Sequence, residues 1–251
     1  MVLYAPTQLE KGLRSIFMQE IAKEPVSLMQ ILTTFISSKA NNEKYAFLSE
    51  SGQLEELVDE VVYGALQDGS YTLTNATYAK GIQVKRTDFD DDQTNGIHLR
   101  VKGLAQTAAR FPNKLVSDLL ISGTTRTDFT GSNFFSEAHA ARGAQTATQD
   151  NLLTGSGVST TQVASDIGSA IAAMAGFKDE SNEPFDEDPS DLIIMAPLAL
   201  RKPMLEALYG SIVNNYSNPS TSYNGMRITP YFSARLTAND VNNWYLLNVG
   251  H

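Results

Sequence analysis

Three histidines occur in the 251 residues, His98, His139 and His251, and one stands two positions after an acid. The stretch GSNFFSEAHAARGAQTATQDNLLTG, residues 131–155, holds that pair, Glu137 and His139. Residues i and i+2 of a strand face the same side, so Glu137 could orient His139 as a general base. A hydrolase built on the pair also needs a nucleophile and oxyanion donors, and the chain has no G-x-S-x-G turn. The simpler reading is a loop histidine beside an acid.

Other chemistries fail on residue type. The chain has no cysteine, which removes disulfides, thiolate metal sites and a cysteine nucleophile, and fits a reducing compartment. The histidines are far apart and there is no H-E-x-x-H, so no zinc set forms in the sequence. An EF-hand register starting at Asp91 puts Gln93, Asn95 and Gly96 at positions three, five and six, but Lys102 at twelve. That last position needs a bidentate glutamate, and a cation there repels the ion. Asp90 to Asp92 instead suit the positive end of a helix dipole. Neither glycine-rich phosphate motif is present. Asn75-Ala-Thr77 and Asn215-Tyr-Ser217 match glycosylation acceptors, which mean nothing without secretion.

One cluster remains. Lys80, Lys85 and Arg86 are interleaved with Tyr71 and Tyr78. A nucleic-acid ribbon has this composition, and so does an arm that docks on an acidic neighbour. The formal net charge of -9 disfavours a surface that grips phosphates, so docking is the expected role.

The elements that carry these residues follow from periodicity. Leu9, Leu13, Ile16, Phe17 and Ile21 predict an amphipathic helix over 8–24, ended by Pro25. Residues 26–37 are apolar enough for a short helix or docked arm, and 53–66 read as another helix. YTLTNATYAKGIQVKRTDF, residues 71–89, predicts two strands of a long hairpin with polar faces on both sides. Ile97, Val101, Leu104, Ala108, Phe111, Leu115 and Leu119 predict one long helix, bent at Pro112. Thr160 or Thr161 is the expected cap of a helix with Val163, Ile167, Ala170, Ile171 and Met174 on one face. The acidic loop 179–191 precedes a buried strand, DLIIMAP, then a helical LRKPMLEALYGSIV and two short strands, MRITPYF and NWYLLNV. Helices and strands do not alternate regularly, which makes the class α+β. With 42% hydrophobic and 19% charged residues, an ordinary folded core is expected. The first fifteen residues lack a signal-peptide core, and the longest apolar run, 192–200, is too short to span a bilayer. A soluble protein with no membrane partner is expected.

In order, these pieces resemble the major head subunits of Mu-like phages. The carriers are YAFLSESGQLEELVDEVV, YTLTNATYAKGIQVKRTDFDDDQ, ARFPNKLVSDLLISG, GSNFFSEAH, TQDNLLTG, SDLIIMAPLALRKPMLEALYGS and NWYLLNV, over roughly residues 15 to 249. The resemblance implies the Hong Kong 97-type capsid fold. It implies an N-terminal arm and helices over 1–67, an extended hairpin loop over 68–92, a peripheral domain with a spine helix over 93–155, and an axial domain over 156–251. Tyr71, Tyr78, Lys80, Lys85 and Arg86 are then a subunit interface, and Glu137 and His139 are structural, followed by a surface loop over 140–151. It further implies no catalytic residue, metal or cofactor, and self-assembly into pentamers and hexamers of a shell that encloses DNA. The shell would be built in the host cytoplasm, with a portal and a scaffold or maturation protease as partners. Family members carry an aromatic where this chain has Leu48, and continue beyond the last strand, so truncation after His251 is expected. An encapsulin-like compartment is the alternative, and a hydrolase using Glu137 and His139 a more remote one.

Overall fold

The computed structural model describes residues 6–22, 32–34, 36–48, 68–83, 96–128, 130–140, 148–178, 184, 189–210, 212–213, 216–217 and 226–249. By internal contacts the chain forms two units, Met1–Asn41 with Asn75–Asp118, and Asn42–Thr74 with Leu119–His251. The expected helix over 53–66 and most of the segment 26–37 lie outside the described residues.

The first unit holds α1, Pro6–Ile21. Proline at its first position loses no hydrogen bond, because that N–H has no helical partner. Leu13, Ile16, Phe17 and Ile21 are half-buried on one side, as their spacing predicts, and Lys102 lies 3.9 Å from Glu20. Helix α2, Gly96–Ile121, runs unbroken through Pro112. Its buried residues differ from the expected stripe. Ile97 and Val101 are buried as the periodicity predicts, followed by Ala105, Val116, Ser117 and Leu120. Leu115 and Leu119 are 37% and 52% exposed. Ile97, Val101 and Ala105 advance by four residues at a time, each step rotating them about 40° around a helix of 3.6 residues per turn, and Val116 and Leu120 continue the rotation in the same sense. The side that is covered at the start of α2 is therefore open near its end.

In the second unit β5, Asp191–Pro197, is the centre of a sheet ordered β8-β5-β9. Strand β8, Arg227–Ser233, runs parallel to it and β9, Tyr245–Asn248, antiparallel. A parallel pair needs a crossover, supplied here by a single 3-10 turn, Leu198–Leu200, and α4, Arg201–Tyr209. Leu192, Ile194 and Ala196 meet Val163, Ile167 and Ile171 of α3, Thr160–Ala175, and Leu200, Met204, Ala207 and Leu208. Ile193 and Met195 are buried too, and α5, Ala234–Asn239, packs against β5 with Leu236 buried. A strand covered on both faces carries a continuous apolar run, which is how DLIIMAP reads. The cap of α3 is Ser159, not Thr160 or Thr161. Its hydroxyl accepts from Gln162 N while the Gln162 side chain returns to the Ser159 backbone, a capping box one residue earlier than expected.

Pro230 sits in β8, which pairs on one side only among the described residues. Arg227 N donates to Ser190 O on the β5 side at 2.8 Å. Strand N–H groups alternate in direction, so Pro230, three residues on, turns its nitrogen to the free edge, where no ladder bond is lost.

The hairpin differs from its expected position. β2, Asp68–Thr74, pairs antiparallel with β1, Asn42–Leu48, from Asn42 opposite Thr74 to Leu48 opposite Asp68. Residues 75–83, expected as the return of a hairpin over 71–89, form no strand; 84–89 lie outside the described residues. Asn75 and Gly81 are turn formers and suggest a turn between two halves of 71–89, but the polar and aromatic alternation of NEKYAFL offers β2 a ladder of seven pairs. The loop expected at 140–151 also contains structure. His139–Ala140, β3, pairs with Thr148–Gln149, β4. Two further short strands, β6, Ile212–Val213, and β7, Tyr216–Ser217, pair with each other; helix was expected to continue to Val213.

Ile194 is fully buried at the centre of the sheet. Ile194→Ala is expected to destabilise the protein by about 2–5 kcal/mol, read as a lower urea midpoint at unchanged slope.

Candidate assembly surface

His139 has an acid partner, but it is not Glu137. Strand β3 begins at His139, and Glu137 stands in the preceding turn, exposed, so the two-residue alternation does not apply. The ring Nε2 lies 2.9 Å from Oδ2 of Asp128, eleven residues upstream. Asp128 Oδ1 accepts from Thr130 N at 2.7 Å and from Thr130 Oγ1 at 2.5 Å, an Asx turn. Around it the segment is tied down repeatedly. Phe134 N donates to Arg126 O and Phe135 N to Gly123 O, both at 2.9 Å. The Asn151 side chain accepts from Ser136 N and donates to Phe134 O. A Cβ at Gly123 would overlap the Phe135 ring, which itself stacks at 5.4 Å on Tyr245 of β9. Burial, and secondarily the charge of Asp240, raise the Tyr245 phenol above its usual value, so it stays neutral. Asp128, Thr130, His139 and Asn151 thus hold the fold of this segment. The signal for Asp128 was in the sequence as T-D-F-T-G, an Asx-turn composition, but nothing in it pointed to a residue eleven positions on.

Among the described residues no group of three or more His, Asp and Glu side chains could hold a metal ion. Nor is any described helix long and apolar enough to cross a membrane.

Of the other sequence candidates, Tyr71, Tyr78 and Lys80 lie at the surface. Residues 70–83 are all exposed. Tyr71 lies opposite Tyr45 across the ladder, and Leu73 is 45% exposed. Tyr78 is 61% exposed although its ring tilts against Phe111 of α2 at 4.7 Å. Lys80 is exposed near it in sequence; Lys85 and Arg86 lie outside the described residues. Tyr71 and Leu73 are open to solvent, and a two-stranded ladder by itself is marginal.

Comparison with solved structures places the fold. The chain superposes on the subunit of the bacteriophage JBD30 capsid decorated with minor capsid protein trimers, with a TM-score of 0.68 and 18% identity. That match covers 85% of this chain and 92% of the other. The JBD30 procapsid subunit gives a TM-score of 0.67 at 19% identity, covering 93% and 100%. The architecture is thus the α+β capsid fold of tailed-phage shells, as the sequence resemblance implies.

The chain belongs to the family of the Mu-like prophage major head subunit gpT, whose model matches residues 7–163. Among its relatives is the Mu-like prophage FluMu major head subunit of Haemophilus influenzae, 28% identical over 123 residues, 49% of this chain and 40% of that one. Another is the major capsid protein of Escherichia phage Mu, 28% identical over 105 residues, 41% and 34% of the two chains. The matched stretch is less than half the length of either relative.

Asp128 and Glu137 can be told apart by stability. Asp128→Ala strands a partly buried imidazole and the Thr130 amide and should cost about 1–3 kcal/mol. Glu137→Ala, exposed, should stay within about 0.5 kcal/mol. Urea denaturation of the two variants measures both.

Proposed function

We propose that the chain is a major capsid subunit that assembles with copies of itself into pentamers and hexamers of a phage or prophage head. The exposed β1–β2 hairpin carries this reading: seven paired residues on each strand, with Tyr71 and Leu73 open to water and no core of their own. In a shell the neighbour supplies that core. The extended loop is then the hairpin with the intervening residues 49–67, α2 is the spine helix, and 156–251 is the axial domain. Tyr71, Tyr78 and Lys80, with Lys85 and Arg86, form the contact with the neighbouring subunit.

No catalytic step is assigned to the subunit, and Glu137 and His139 take part in none. Its place is the virion, around packaged DNA. A net charge of -9 suits a wall that must not bind its contents, because no counterions are released when like charges meet. Tyr71, Tyr78, Lys80, Lys85 and Arg86 instead face an acidic surface of the next copy. Each exposed ion pair contributes only about 0.2–1 kcal/mol, but the contact is repeated around every ring.

Electron microscopy of the purified protein should show shells, rings or tubes; a persistent monomer would refute the reading. Reversing Lys85 and Arg86 together to Glu should impair assembly without lowering the unfolding midpoint, and added salt should mimic the change. The subunit should bind duplex DNA weakly or not at all at physiological salt. Tight, salt-sensitive binding lost in the double variant would make the cluster a nucleic-acid site instead.

A further inference from the structure

A side chain, that of Asn75, ties the two ends of the hairpin together at its base. The ladder ends where Asn42 pairs with Thr74, and one more backbone bond follows, Asn75 N to Asn41 O at 3.0 Å. At that point the Asn75 amide nitrogen donates to Ser38 Oγ at 2.5 Å and to Ala40 O at 2.7 Å. Ser38 Oγ also donates to Ala40 O at 3.0 Å, which closes a three-membered polar cluster on residues 38–40. Both protons of one amide are therefore spent on the strand-entry segment, from the residue that begins the strand exit. An aspartate there would fit the space but donate neither bond. Asn75-Ala-Thr77, a glycosylation acceptor in a secreted chain, has a structural use in this one.

We propose that Asn75 is the latch of the hairpin, a positioning residue that holds its entry and exit together so that the two strands project as one piece. Ordinary hairpins are closed by their turn and by packing on a sheet or helix. This one offers residues 70–74 to solvent, so closure at its base weighs more than exposed hydrogen bonds usually do. The inference rests on the head-subunit reading for its consequence in assembly, but not for the latch itself.

The test uses the full chain, unassembled, and reads amide hydrogen exchange for wild type, Asn75→Ala and Asn75→Asp. The alanine variant should speed exchange across 42–48 and 68–74 about tenfold, which corresponds to about 1.4 kcal/mol. The aspartate variant, which keeps the shape, should follow it, and the amides of β5 should be unchanged in both. Exchange in the hairpin equal to wild type would overturn the latch. Acceleration that includes β5 would overturn it as well, since Asn75 would then support the whole fold. Shell formation is scored separately by electron microscopy, where both variants should give fewer closed particles. Wild type that never assembles, with a fast-exchanging Asn75→Ala hairpin, would sink the head-subunit reading and leave the latch standing.

Discussion

Burial of β5 on both faces is the constraint on which the second unit rests. Six consecutive residues, Leu192 to Pro197, are removed from water by three helices and two flanking strands. A strand in that position cannot carry a polar side chain without leaving it unsatisfied, so its sequence has almost no freedom. The helices around it need only one apolar side each, and α3 shows this in Val163, Ile167 and Ile171, with polar residues between them. The Asp128–His139 turn is tied to this sheet through Phe135, whose ring packs on Tyr245 of β9.

The hairpin obeys the opposite rule. Where β5 is stabilised by what covers it, β1 and β2 are stabilised by each other and by the stitching at their base. Thr72 and Thr74 favour extended backbone without needing burial, and Tyr45 stands opposite Tyr71 across the ladder. Such an element is cheap to keep free and ready to bind. It leaves Tyr71 and Leu73 open to solvent.

Legibility in the sequence followed burial. DLIIMAP, the face of α3 and the length of α2 could be read because a dry environment imposes a period on the residues. The pairing of β2 could not, since an element wet on both faces carries no such period, and its true partner lies twenty residues upstream of it rather than just beyond it. Local turn residues, Asn75 and Gly81, then dominated the reading. The rotation of the covered side of α2 was hidden for a related reason: a stripe of Leu115 and Leu119 looks the same whether or not anything lies on it. At the acid–histidine pair the residue types were right and the partner wrong, because side-chain meetings across a loop leave no spacing to read. Asp128 is found by folding the chain, and by nothing shorter.

Pro230 bears on a hazard that any highly concentrated protein meets. A sheet with a bare outer strand invites identical sheets to add to it one after another, and such growth has no natural end: the product is a fibre. By turning a ring instead of an N–H outward, β8 withholds a donor from the middle of the free edge. An incoming strand would find the sequence of bonds broken after a residue or two. Open-ended stacking on this edge is thereby made poorer by one imino acid.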